Sequence, residues 1–242
     1  MTTEPIFPPL LKGQAVTGKI DPFEKAVSLA TLGCDAGTIV YNIRQQYMRA
    51  AFIFAPEITL EKACAMMIAC GVGYSNALGA LAPPEVAVHL DWHGDILVNG
   101  ATCGGIKMAA SHSDPAAMPE WLVVGLTVPL FPADDEGGFT PNQTTLFQEG
   151  CAEVDPVTLI ESWARHTLVW INRWDDEGPA PLHAEWRSKA HDMGEEINTT
   201  LQGAEIKGTF LGIDEDFGML IRTGEATQVK PISALLRNGD TS

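Results

Sequence analysis

"HLDWHGDILVNGATCGGIK", residues 89–107, is the stretch on which the reading of the fold turns. Asn99-Gly100 is a strong hairpin signal, because a tight two-residue turn needs positive φ at both positions. It separates "DILV" from "ATCGGIKMAAS", and "VAVHLDW" before it reads as a further strand. Asp91, His93 and Asp95 crowd the head of this unit. Acids beside turns commonly bond their own backbone, so capping is the plain reading and an acid–base pair the chemical one. The glycines Gly104 and Gly105 sit where a bulge would change the phase of the second strand.

Working outward, "DPFEKAVSLATLG" carries a full set of helix boundary signals: Asp21 as N-cap, Pro22 at the first helical position, and Gly33 at the stop. "AGTIVYNI" and "MRAAFIFA" read as paired strands across "RQQY". "TLEKACAMMIACGVGYSNALGAL" has helical spacing, with Gly71 and Gly73 suited to close packing. "EWLVVGLTVPLF" is a strand, residues 132–154 a polar loop, and Asp155-Pro156 opens a helix with Trp163, Trp170 and Trp174 on its core side. "PLHAEWRSKAH" reads as a shorter final helix. From residue 196 short strands take over, suggesting a small β-barrel module. The expectation is an α+β fold, a mostly antiparallel mixed sheet packed with helices, divided into an extension over 1–20, a main domain over 21–195 and a module over 196–242.

Composition narrows the function. The net charge of −16 comes from 31 acids against 15 scattered bases, which excludes a phosphate-binding basic face and hence nucleic acid as a partner. The same charge disfavours an acidic protein partner. No apolar run of about 18 residues and no basic, apolar leader are read in the chain, so a cytoplasmic protein without a membrane span is expected. The five cysteines, Cys34, Cys64, Cys70, Cys103 and Cys151, have irregular spacing and read as buried free thiols. No phosphate loop, dinucleotide fingerprint, nucleophile elbow or metal-binding histidine spacing is present, and no metal is expected.

With these motifs in view the chain resembles the biotin/lipoate protein ligase family, over about residues 21–236. "AGTIVYNIRQQ" is similar to the family strand ending in a substrate-contacting glutamine, implying Gln45 or Gln46. "DWHGDILVNGATCGGI" resembles K-W-P-N-D, a turn, and K-L-A-G-I. "WLVVGLTV" resembles the strand ending in G-x-G-I-N, and "FLGIDEDFGMLIR" the glycine pattern of an SH3-like C-terminal domain. The resemblance implies a substrate site at Arg44, Gln45, Gln46, Arg49, Trp92, Gly104 and Gly105. It also implies biotin or lipoate with ATP as reactants, a small carboxylate or acyl group as ligand, and a carrier domain as acceptor that the acidic charge disfavours.

Departures from the pattern carry equal weight. The basic loop expected after the glutamine is missing, Asp91 and Thr102 stand where lysines are expected, and Thr127 and Pro129 replace a glycine and an asparagine. Joining a carboxylate to ATP gathers negative charge that cations normally neutralise, so ATP-driven activation is expected to be weak or lost. Lys107 could restore a cation. It lies five residues beyond Thr102, on the opposite face of a regular strand, unless a bulge at Gly104-Gly105 intervenes. Asp91, Lys107 and Cys151 are therefore the catalytic candidates, Cys151 as an acyl-accepting nucleophile for a pre-activated donor. A structural or assembly role is the remaining alternative, and a purely structural protein is expected to lack an open apolar cleft beside Trp92.

Overall fold

The computed structural model describes residues 4–132 and 142–237; residues 133–141, within the polar loop expected at 132–154, lie outside them. In chain order the main domain contains β1 (Lys12–Ala15), α1 (Pro22–Thr31), β2 (Thr38–Ile43), β3 (Tyr47–Phe54), α2 (Leu60–Ala63) and α3 (Ala65–Leu81). It continues through β4 (Val88–Leu90), β5 (Asp95–Val98), β6 (Ala101–Ala110), β7 (Leu122–Pro129), α4 (Pro156–Glu177) and α5 (Ala180–Lys189). The module holds β8 (Glu196–Leu201), β9 (Ala204–Ile213), β10 (Met219–Thr223) and β11 (Ala226–Lys230).

Seven strands form one sheet in the order β1-β2-β3-β7-β6-β5-β4, antiparallel except for the β1–β2 pair. Residues 1–20, expected as an extension, thus supply an edge strand of the sheet. The module is a four-stranded antiparallel sheet, β11-β10-β9-β8. Strand alternation sorts the core into two layers. One face carries Val40, Ala51, Ile53, Ala109 and Val123 against Phe23, Ala26 and Ala30 of α1. The other carries Ile39, Phe52, Met108 and Val124 under α3 and α4.

Local sequence explains where these elements start. Asp21 accepts the Phe23 N–H at 2.8 Å, and Asp155 accepts the Thr158 N–H at 2.8 Å, so each Asp-Pro pair caps its helix as the spacing predicts. Asn99 and Gly100 adopt φ of 50° and 89°, the hairpin geometry expected of them. Gly73 lets α3 and α4 approach: a Cβ there would fall 2.5 Å from Thr167 Oγ1. Trp163 is fully buried at this contact and its indole donates to the Cys70 carbonyl at 3.0 Å.

The membrane expectation needs one correction. Leu60–Leu81 is long and apolar enough by composition to cross a bilayer, with mean hydropathy 1.4. In the fold 78% of that window is buried, because the segment lies between the sheet and α4 and is therefore apolar on every side.

Candidate functional site

On the face of the sheet covered by α1, register builds a row across the strands that is part-exposed at Arg49, Gly105 and Thr127, exposed at Asp95 and buried at Asn42. Asn42 of β2 pairs with Arg49 of β3, Arg49 with Thr127 of β7, Thr127 with Gly105 of β6, and Gly105 with Asp95 of β5. Cross-strand partners share a face, so these five side-chain positions line one strip. Arg49 lies 4.1 Å over the Tyr47 ring and forms no ion pair among the described residues. Part-burial and the charge of Asp91 push the Asp95 carboxyl up.

β6 contains the bulge. Asp95 pairs with Gly105 but Leu97 pairs with Thr102, so three steps on β6 oppose two on β5. Gly104 takes φ +94°, and a Cβ there would meet the Thr127 carbonyl oxygen at 2.0 Å. The phase shift sends both Cys103 and Ile106 into the helix-side core. Thr102 and Lys107 consequently face the same side, and the opposite-face expectation for a regular strand gives way to the bulge alternative. Lys107 is nevertheless engaged: its ammonium is 3.6 Å from Asp21 and 4.2 Å over the Phe23 ring. Burial lowers its pKa, and the Asp21 charge offsets only part of that.

Arg44, Gln45 and Gln46 form the turn between β2 and β3, closed by the Arg44 N–H donating to the Tyr47 carbonyl at 2.8 Å. This turn stands where the basic loop is expected. It borders a groove of about 750 Å³ that also includes Asn42, Tyr41 and Val157, so groove and strip meet at Asn42. Arg44 donates to the Gly18 carbonyl at 2.6 Å, fastening the segment before α1 beside Asn42. The described end of the 132–154 loop closes the other side. Thr102 donates to the Asn142 carbonyl and accepts from the Thr144 N–H, each at 2.9 Å.

A model of the biotin/lipoate A/B protein ligase family matches residues 7–188. The chain belongs to that family. Residues 193–238 match a domain of unknown function, DUF4444. A biotin–[acetyl-CoA-carboxylase] ligase of Paracoccus denitrificans is 29% identical over 191 residues, covering 77% of this chain and 78% of the relative. A biotin protein ligase-like protein of unknown function from Silicibacter is 52% identical over 97% of this chain and all of its own, with TM-score 0.90. The Aquifex aeolicus biotin protein ligase shares the fold, with TM-score 0.71 over 95% of this chain and 96% of its own at 18% identity.

Within this ligase-family fold three of the residues singled out from the sequence lie in settings the sequence did not indicate. Trp92 does not open a cleft: it is 2% exposed, and its indole donates to the Phe217 carbonyl of the module at 2.9 Å. The space it borders with Gly94 and Ile106 is about 10 Å³, enough for one water at most. Cys151 lies in a setting that disfavours the thiolate. It is 3% exposed, and burial followed by the charges of Glu149 and Glu85 pushes its thiol up, away from the thiolate that acyl transfer needs. Asp91 is engaged through one of its carboxylate oxygens. Its Oδ1 accepts from the His93 N–H at 2.6 Å and lies 3.0 Å from His93 Nδ1, while His93 Nε2 lies 3.0 Å from Thr199 Oγ1 of β8. The acid and its histidine thus join the hairpin to the module.

That chain of bonds has a pH signature. Burial tends to raise the Asp91 pKa, but hydrogen bonds and charge from His93 outweigh it and the net shift is downward. A depressed carboxylate contributes stability above its unfolded pKa, near 4, and loses it as pH falls through the folded value. Asp91→Asn is therefore expected to destabilise at neutral pH and to converge with the parent in acid. Urea midpoints measured from about pH 7 to about pH 3 check this, and a difference constant over that range contradicts it.

Sequence reasoning singled out neither Asn42, though it lies within "AGTIVYNIRQQ", nor Thr199, which sits in no motif; the β2–β3 register and the docking of β8 bring them to their places.

Proposed function

We propose that the chain binds a small carboxylate of the biotin or lipoyl/octanoyl class on the part-exposed strip, and that ATP-dependent ligation by it is weak or lost. The observation that carries this is the charge balance of the strip. On the strip itself Arg49 has no ion pair among the described residues, Lys107 is held by Asp21, and Asp95 adds a negative charge. One free guanidinium suits one carboxylate, whereas a carboxylate together with a triphosphate asks for several cations. The short Arg44–Tyr47 turn and the engagement of Asp91 with His93 support the same reading. We read the module as the SH3-like appendage of such a protein, with the division near residue 196.

A second reading, an active ligase or acyl transferase with rearranged residues, is favoured by one observation: the bulge turns Lys107 to the face of Thr102. Incubation with ATP, labelled biotin or octanoate, and a carrier domain separates the two. The first reading expects no label on the carrier lysine; labelling that disappears in Lys107→Met establishes the second. Under the first reading Arg49→Gln weakens carboxylate binding about tenfold or more by calorimetry, the loss of one charge-assisted contact. An unchanged affinity removes Arg49 from the site.

A further inference from the structure

A second cleft lies on the helix side of the molecule, at the junction of α2, the α4–α5 connection and the β9–β10 turn of the module. Its volume is about 540 Å³, within the span of small-molecule pockets, and such pockets favour junctions between domains. Its apolar wall is Ile58, Pro179 and two aromatic rings, Trp174 and Phe217, stacked at 5.9 Å and 24°.

The β9–β10 turn is built with strain at this place. Phe217 holds φ +66°, a region that bulky side chains rarely enter. Asp214 over-determines the turn, its Oδ1 accepting the N–H groups of Asp216 at 3.0 Å and Gly218 at 2.7 Å. The strained residue is buried with its carbonyl on Trp92, while Glu215 and Asp216 are exposed at the rim of the cleft. On the wall supplied by α2 stands Lys62. No ion pair joins it to either acid or to any other described residue, and neither acid has an ion partner of its own. Opposite charges thus flank an aromatic wall without meeting each other.

We propose that this cleft binds a small zwitterion with an apolar or aromatic body, an α-amino acid being the simplest member of the class. The carboxylate of the ligand meets Lys62, its ammonium meets Glu215 and Asp216, and its side chain lies against Trp174. An exposed lysine and exposed acids each contribute modestly, so discrimination comes from satisfying both ends at once. The site is separate from the strip on the α1 side of the sheet and stands or falls independently of the function proposed for that strip.

Calorimetric titration of the full chain with L-phenylalanine, L-phenylalaninamide and N-acetyl-L-phenylalanine tests the proposal. Saturable binding of L-phenylalanine is expected, with each blocked form weaker by about tenfold, the scale of one charge-assisted contact. Lys62→Met is expected to erase the preference over the amide, and Glu215→Gln with Asp216→Asn the preference over the N-acetyl form. These positions are exposed, so the variants keep the fold. Trp174→Ala should weaken all three ligands together. Absence of saturable heat with L-phenylalanine, or equal affinity for the three compounds, overturns the proposal.

Discussion

Gly104→Ala is expected to destabilise the chain by about 3 kcal/mol or more, a cost set by backbone rather than by lost contacts. The added methyl meets a carbonyl oxygen at 2.0 Å, and φ +94° is itself unfavourable for any residue with a Cβ. Relief requires flattening the bulge. That would turn Thr102 to the other face or strip it from its bonds to the 142–144 segment, so damage should be local as well as global. Gly100→Ala is the matched control: its φ is +89°, yet nothing lies within 4 Å of the new Cβ. It should cost only about 1 kcal/mol, from the strained φ alone. Urea unfolding of both variants, with amide exchange at Thr102 and Thr144, checks the contrast. Equal costs, or unaltered exchange in a destabilised Gly104→Ala, would count against the bulge as the device that sets the face of Thr102.

The second large effect is expected at Trp92. Trp92→Ala should cost about 3–5 kcal/mol, the range for removing a large buried aromatic side chain. It also leaves the Phe217 carbonyl without its indole donor, in a turn already holding a strained φ. Trp92→Phe keeps most of the volume and isolates the hydrogen bond, at about 1–2 kcal/mol. Because Trp92 and His93 hold the module at Phe217 and Thr199, exchange should rise across β8 and the β9–β10 turn before it rises in the main sheet. Uniform loosening of all elements, or a module untouched by either substitution, contradicts this placement of Trp92.

These two residues also show what the sequence discloses and what it withholds. The helix starts at Asp21 and Asp155 and the Asn99-Gly100 turn are local signals, and each appears where its chemistry predicts. The order of helices and strands follows from period and length from α1 onward, whereas the short, mostly exposed β1 carries no such pattern. Face is another matter, because one inserted residue inverts it: the sense of Lys107 depends on Gly104, whose role becomes visible only when β5 and β6 are paired. Trp92 looked like part of a ligand wall because it stands in a family motif. Its side chain instead faces the module, through a contact 125 residues away along the chain. Asn42 and Thr127 join Arg49 through register across β2, β3 and β7, which no spacing within one strand could reveal.

Charge was the more legible property. Asp91 and Thr102 stand where the family resemblance implies lysines, and the consequence for anionic reactants follows from Coulomb's law. The structure adds that Asp91 Oδ1 is bonded to the His93 N–H and lies beside His93 Nδ1, which holds its carboxyl below the usual range, while its charge still raises that of Asp95. Of the cations near the strip, Lys107 is held by Asp21, Arg44 donates to the Gly18 carbonyl, and Arg49 has no ion pair among the described residues.

The most direct test of that division is a calorimetric titration of the purified chain with biotin, lipoate, octanoate, ATP and the non-hydrolysable acyl-adenylate analogues. One of the acids is predicted to bind, with ATP silent and the adenylate analogue no tighter than its acid. An adenylate analogue that binds more tightly than the acid and the nucleotide separately would contradict the account, because it would mean that the strip still gathers the charge of an activated intermediate.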